Sequence, residues 1–148
     1  MAPMHELVEF FHLAAAIFWM GGMAFMVLAL RPALGQLDPP QRLPLVESVL
    51  RRFFAVVGIS IAVLALTGVW MFLQAEVRPR GWHAMAGIGL VMFLVFGHIL
   101  FAPYRRLQDA VARQAWPQAG GAAGQVTLLA KVNLGLGWIA IAAVMLWR

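Results

Sequence analysis

The chain is organised by four long runs of apolar residues, separated by short polar or charged segments. The runs cover residues 10–30, 53–73, 82–101 and 126–147. Each is about 20 residues long, the length that an α-helix needs to cross the hydrocarbon core of a bilayer. The runs are continuous and do not alternate with a period of two, so helices fit and barrel strands do not. The pattern predicts an all-α fold, an integral membrane up-and-down four-helix bundle.

The connections between the runs carry weaker signals. Residues 31–52 contain the turn sequence Asp38-Pro39-Pro40 and then a segment, residues 43–50, that suits a short interfacial helix. Residues 74–81 form a tight link, and residues 104–118 form an amphipathic extension. The small residues of 119–125 predict a linker into the fourth run. With no internal repeat and no second apolar core, we expect residues 1–148 to be a single transmembrane domain.

Composition agrees with a lipid environment. The 148 residues are 63% hydrophobic and 11% charged, and a soluble domain of this size needs a larger polar surface. The net charge of +5 comes from arginines that flank apolar runs, which is typical of contact with lipid headgroups and not of nucleic-acid binding. The chain has no cysteine, which excludes disulfides and thiolate metal sites.

Arginine placement predicts the orientation. Two connections carry most of the positive charge, at Arg31, Arg42, Arg51, Arg52, Arg105, Arg106 and Arg113. The opposite side has Arg78, Arg80 and Arg148, and also three glutamates. The positive-inside rule then places the arginine-rich connections in the cytoplasm of a bacterium and both termini in the periplasm.

Titratable groups inside membrane spans are costly, so each is a candidate for function. His12 and His83 begin the first and third runs, which point in the same direction in an up-and-down bundle. Both imidazoles should therefore lie at one depth, near the outer interface, where they could ligate a haem iron or a copper ion. The alternative is that each histidine is only an interfacial polar residue.

The surroundings of these histidines favour a bulky ligand. Gly87 lies one turn after His83 and leaves room for a flat macrocycle, while Arg78 and Arg80 precede it and could pair with propionates. The alternative is that such glycines only allow helices to approach closely.

Two further groups of side chains could bind a ligand. His98, Lys131 and Asn133 lie near the inner interface and could form a second polar cluster, although Lys131 could simply extend to the headgroups. Met20 and Met23 of the first run, with His5, His12 and His83, offer the soft donors that suit Cu(I). Methionine also fills gaps in apolar packing, which is the alternative for these two residues.

Several short motifs occur in a recognisable order. They are His12-x6-Trp19-x-Gly21-Gly22, Arg31-Pro32-Ala33-Leu34, Arg51-Arg52-Phe53, Thr67-Gly68, Gly81-Trp82-His83, and His98 with Phe101-Ala102-Pro103-Tyr104-Arg105-Arg106. In this order they resemble the small CopD-like copper-resistance membrane proteins over nearly the whole chain. The resemblance implies copper handling at the periplasmic side.

The same layout is similar to that of the HemJ-like protoporphyrinogen oxidases, four-helix haem-b proteins whose first-span histidine falls on His12. Their His-Ala-Lys motif falls on His83-Ala84-Met85, so the lysine is replaced here. We therefore predict a histidine-ligated redox or metal centre, with haem b for electron transfer or oxidoreduction preferred and copper binding or transport as the alternative. A redox or copper-donor protein would be the partner, and a homo-oligomer is compatible with the pattern. The sequence leaves open whether the protein is an enzyme.

Overall fold

The computed structural model describes residues 2–147, and within this range the regular structure is helical throughout. The helices, in chain order, are α1 (Ala2–Phe25), a π-helical segment (Met26–Leu30), α2 (Arg31–Leu34), α3 (Pro39–Gln74), α4 (Arg80–Phe101), α5 (Pro103–Ala112) and α6 (Trp116–Leu146). In the described part of the chain, four continuous helical stretches are long and apolar enough to cross a membrane: Pro3–Leu34, Pro39–Gln74, Arg80–Ala112 and Trp116–Leu146. The predicted four-helix membrane bundle is confirmed.

The four long helices pack as two close pairs, α1 with α3 and α4 with α6. The start of α4 meets the end of α6, where the backbone N–H of Gly81 donates to the carbonyl of Trp147 at 2.9 Å. The start of α1 meets the end of α3, where the rings of His5 and Trp70 lie 6.0 Å apart. The start of α1, the end of α6 and the 75–79 connection therefore share one end of the bundle, called here the terminal end. The other end, with most of the arginines, is called the arginine-rich end.

Aromatic side chains join the two pairs inside the bundle. Trp19 of α1 stacks on Phe93 of α4 with ring centroids 5.8 Å apart, and its edge meets Phe96 at 6.5 Å. Phe54 of α3 contacts Phe96 at 5.5 Å and Tyr104 of α5 at 4.9 Å, both edge to face. Edge-to-face rings pack favourably beyond the area they bury, so this chain of contacts fixes how the pairs are placed.

Two connections differ from the sequence-based prediction. Residues 43–50 are helical, but they continue into α3 without a break, so the interfacial helix and the second span are one helix of 36 residues. Residues 119–125 are not a linker, because α6 already begins at Trp116. Ala119, Ala122 and Ala123 are buried where α6 packs on α5. Small residues at this spacing let two helix backbones approach closely, which is a packing function and not a linker signal.

The amphipathic extension predicted over residues 104–118 is shorter in the structure: α5 covers Pro103–Ala112 with Leu107 completely buried, and residues 116–118 belong to α6. At the arginine-rich end of the first span, α1 is followed by the π-helical segment, in which the backbone N–H of Arg31 donates to the carbonyl of Met26. Such a π turn adds one residue to the helix and rotates all that follows.

Candidate metal site

His12 is held by a side chain of the neighbouring helix. Its Nδ1 lies 2.8 Å from Oγ1 of Thr67, and that oxygen lies 2.6 Å from the carbonyl oxygen of Val63. Two oxygens this close need a proton between them, so the hydroxyl of Thr67 donates to Val63. The Thr67 oxygen must then accept from His12, which places the imidazole hydrogen on Nδ1. Nε2 therefore keeps its lone pair, as a metal ligand requires.

The His12 ring rests on a glycine, which explains the Thr67-Gly68 motif. A Cβ atom at Gly68 would lie 3.3 Å from Cε1 of His12, so a larger residue would displace the ring. Thr67 and Gly68 together set both the rotation and the depth of the half-buried imidazole between α1 and α3. An outer contact that orients a ligating histidine in this way is typical of metal sites.

His5 lies nearer the chain terminus on the same helix. Its Nε2 is 3.1 Å from Oε1 of Glu9, one turn along α1, and its ring faces Trp70. His5, Glu9 and His12 follow each other at spacings of four and three residues, so they share one face of α1. These side chains face α3, as the contacts of His5 and His12 show.

His83 lies against a different part of α3 and is exposed. Its ring meets Phe72 edge to face, with centroids 5.2 Å apart. Arg78 also contacts Phe72. Its Nε donates to the Phe72 carbonyl at 2.7 Å, and its guanidinium lies 4.9 Å from the centroid of the Phe72 ring. Arg80 begins α4 and is also exposed. Gly87 is exposed, and a Cβ atom there would meet nothing within 4 Å, so the space beside it is open.

The two methionines of the predicted copper set point into the bundle. Met23 is almost fully buried, and Met20 lies between α1 and α6, where a Cβ atom on Gly137 would overlap its sulfur. The end of Met92 of α4 would lie 3.2 Å from the same position. Gly137 thus makes room for two thioether side chains from two different helices.

The residues of the predicted second polar cluster occupy different environments. Asn133 is buried and donates its Nδ2 to the Met92 carbonyl at 3.2 Å, whereas its Oδ1 is buried and has no hydrogen-bond partner among residues 2–147. Lys131 is exposed and lines a cleft that also contains Arg31 and Arg42. His98 is exposed near the end of α4.

Comparison with known proteins places the chain in a family. The family described as "CopD: Copper resistance protein D" matches residues 47–147, about two thirds of the chain. The chain belongs to the copper resistance protein D family. An "Uncharacterized protein" of Aquifex aeolicus (strain VF5) is 31% identical over 138 residues, covering 90% of this chain and 94% of that protein. No solved structure matches significantly. The protein is therefore a multi-pass membrane protein of the copper resistance protein D family.

The family match begins at Glu47, in the first third of α3, and continues through α6. It includes Thr67 and His83, but not α1 with His12. The contact between His12 and Thr67 thus joins a helix outside the match to one inside it. In the described part of the chain, no group of three or more histidine, cysteine, aspartate or glutamate side chains is close enough to hold a metal ion. Thioether sulfurs are further possible donors, and α1 carries three methionines.

Sequence reasoning missed two polar contacts. Thr67 drew attention only through a motif, although a threonine late in a span can be expected to hydrogen-bond within its own helix or across to another. At the arginine-rich end, the Tyr104 hydroxyl donates to Oε1 of Glu47 at 3.1 Å, and Gln108 donates to both at 3.3–3.4 Å. The sequence pattern places Glu47 and Gln108 in connections between spans. A charged residue outside a span is not unusual, so the pattern gives no sign of this network.

Proposed function

We propose that the protein binds copper ions as cargo in the membrane, with Nε2 of His12 as the oriented ligand. The observation that carries the proposal is the hydrogen bond from His12 Nδ1 to Thr67, whose own proton is committed to Val63. That arrangement selects the tautomer with a free Nε2 and fixes the ring before a metal arrives. It requires a threonine and a glycine in α3 beside the half-buried histidine.

The donors on α1 lie along one stripe of the helix. At 100° per residue, His5, Glu9, His12, Met20 and Met23 fall within an arc of about 80° on the helix surface. Met23 is about 16 Å beyond His12 along the axis, with Met20 between them. Thioether sulfur is a soft donor that suits Cu(I), and imidazole also binds copper. The order of donors suggests capture by His5 and His12 at the terminal end, followed by thioethers deeper in the bundle.

A b-type haem held by His12 and His83 is the competing hypothesis. Both rings contact the last third of α3, His12 at Thr67 and His83 at Phe72. Because His83 and Gly87 are exposed, a porphyrin on this histidine would lie on the outside of the bundle. Arg78, the predicted partner of a haem propionate, already donates to a backbone carbonyl. These contacts favour the copper proposal, and an absorption spectrum of the purified protein separates the two.

The test is copper binding by the purified full-length protein under reducing conditions, measured by competition with a chromogenic Cu(I) chelator. The variant His12→Ala should weaken binding at least 10-fold, since it removes the oriented ligand. His98→Ala is the matched control, because it removes an exposed histidine from the opposite end of α4 and should bind as the parent does.

Equal copper affinity in His12→Ala and His98→Ala would contradict the proposal. A Soret band in the parent protein that disappears in both His12→Ala and His83→Ala would replace copper by haem as the bound group. Circular dichroism of each variant confirms that the helices remain folded.

A further inference from the structure

Three cationic side chains line one cleft at the arginine-rich end. Arg31 follows the π-helical segment, Arg42 lies in the first turns of α3, and Lys131 lies in α6. The cleft has a volume of about 290 Å³ and is also bounded by Val27 and by small residues such as Gly120. Arg31 and Arg42 flank one connection, and the packing of α6 brings Lys131, far away in the sequence, to the same cleft.

The positive charge of this cleft is not balanced by protein groups. No aspartate or glutamate is among the described residues that line it. The ion pairs within residues 2–147 join His5 to Glu9 and Arg113 to Asp109, and neither includes a cation of the cleft. Bringing three like charges together without a counter-ion costs free energy, so an anion in the cleft would be stabilised.

A second cleft at the same end shows the contrast. It contains Arg106 and Arg113, but there Arg106 donates to the side chain of Gln125 at 2.6 Å, and Arg113 pairs with Asp109 at 2.7 Å. Asp109 also lines the second cleft, which therefore holds two cations and one carboxylate. The cleft of Arg31, Arg42 and Lys131 holds three cations, with no carboxylate among the described residues that line it.

The cleft also has suitable space and rigidity. A Cβ atom on Gly120 would meet nothing within 4 Å, so its wall is open to a ligand. Arg42 is fixed by donation from its Nη1 to the Leu37 carbonyl at 3.2 Å, which leaves the guanidinium's other N–H groups free. The volume of about 290 Å³ is large enough to admit a phosphate group.

We propose that this cleft binds the phosphate group of an anionic phospholipid. Arginine presents a fork of donors that matches phosphate oxygens, and lysine adds a point charge. The position favours a lipid source, because Lys131 lies five residues inside the apolar run 126–147 and Val27 lies within the run 10–30. A basic pocket between transmembrane helices at an interface is a known way to hold a charged lipid headgroup.

The test compares lipid retention by the full-length protein in detergent. Two variants are compared with the parent. The double variant carries Arg31→Gln and Lys131→Gln, and the triple variant carries Arg42→Gln in addition. Native mass spectrometry, with phosphatidylglycerol titrated against phosphatidylcholine, measures the bound lipid. We expect the parent to prefer phosphatidylglycerol. The affinity for this lipid should fall about fivefold for each removed cation, and on the order of 100-fold when all three are removed. Arg113→Gln is the control, because it removes one arginine from the second cleft and should retain the preference.

The outcomes are decisive in each direction. An unchanged preference in a folded triple variant would overturn the proposal, and so would an equal loss in Arg113→Gln. If the triple variant does not fold, the variant with Arg31→Lys and Arg42→Lys keeps the charge but loses the donor forks. A reduced preference in that variant supports the site, and a full parental preference contradicts a specific phosphate contact. The assignment to lipid would also be overturned by one result with inorganic phosphate. In that result, phosphate raises the melting temperature of the parent but not of the triple variant, and it displaces no bound lipid.

Discussion

Replacing Thr67 by valine tests the orientation of His12 with a minimal change. Valine keeps the β-branched shape of threonine and removes the hydroxyl. The variant loses the bond from His12 Nδ1 at 2.8 Å and the bond to the Val63 carbonyl at 2.6 Å. The ligand Nε2 itself is untouched. Any loss of copper affinity must therefore come from the support of the imidazole and not from removal of a donor atom.

The magnitude follows from what the bond contributes with and without metal. A neutral hydrogen bond contributes about 1 kcal/mol, and a charge-assisted one is roughly twice as strong. Metal at Nε2 makes the Nδ1–H of His12 a stronger donor, so the bond adds about 1 kcal/mol to binding. Without the Thr67 acceptor the imidazole is also mobile before the metal binds. Fixing it on binding then costs about 0.5–1.5 kcal/mol of conformational entropy. The sum, about 1.5–2.5 kcal/mol, corresponds to a 10- to 60-fold weaker affinity.

The assay is the same chelator competition, and α6 offers a matched control. Thr127 donates to the Ala123 carbonyl at 2.9 Å in the way Thr67 donates within α3, but no histidine accompanies it. Thr127→Val should therefore cost the same intrahelical bond and leave copper affinity unchanged. Equal affinities in Thr67→Val and Thr127→Val would refute the reasoning, because the bond to His12 would then not support a ligand.

Three further predictions concern packing, the copper path and orientation. Met20→Leu with Met23→Leu keeps volume and apolarity, so stability should change by less than about 1.5 kcal/mol while bound copper falls; unchanged copper would make both residues packing only. Gly81→Ala should destabilise the protein by about 1–3 kcal/mol in thermal unfolding, because a Cβ atom would overlap the backbone carbonyl of Ala143. Gly97→Ala has open space at its Cβ position and should not destabilise it. Reporter fusions at residues 45 and 115 should give cytoplasmic signals, and periplasmic signals there would reverse the predicted topology.

The fold was predictable because hydropathy alone decides it. A helix in lipid must satisfy its own backbone groups, so each long apolar run has essentially one structure available. The ends of the helices were harder to predict. Pro39 and Trp116 begin α3 and α6 well before the apolar runs, since helices continue through polar residues wherever a neighbouring helix packs on them. Hydropathy measures transfer to lipid and is blind to that packing.

The candidate site was only partly accessible from sequence. Depth along the helices predicts that His12 and His83 lie near the same end of the bundle, and both do contact the end of α3. Depth does not give the rotation of a helix about its axis. The rotation sets His83 on an exposed surface and His12 against Thr67, so the two residues differ although their sequence signals were alike. Whether either binds a cofactor stays a prediction.

The π-helical segment shows how a local irregularity can determine what the arginine-rich end presents. Met26 begins this segment with its side chain buried in the core, and Val27 and Arg31 line the cationic cleft. One added residue rotates the following chain by about 100° relative to a regular α-helix. The insertion therefore changes the side of the chain from which Arg31 projects, relative to a regular α-helix that continues α1. π turns are rare and occur often at functional positions, and this one immediately precedes a residue of the cationic cleft.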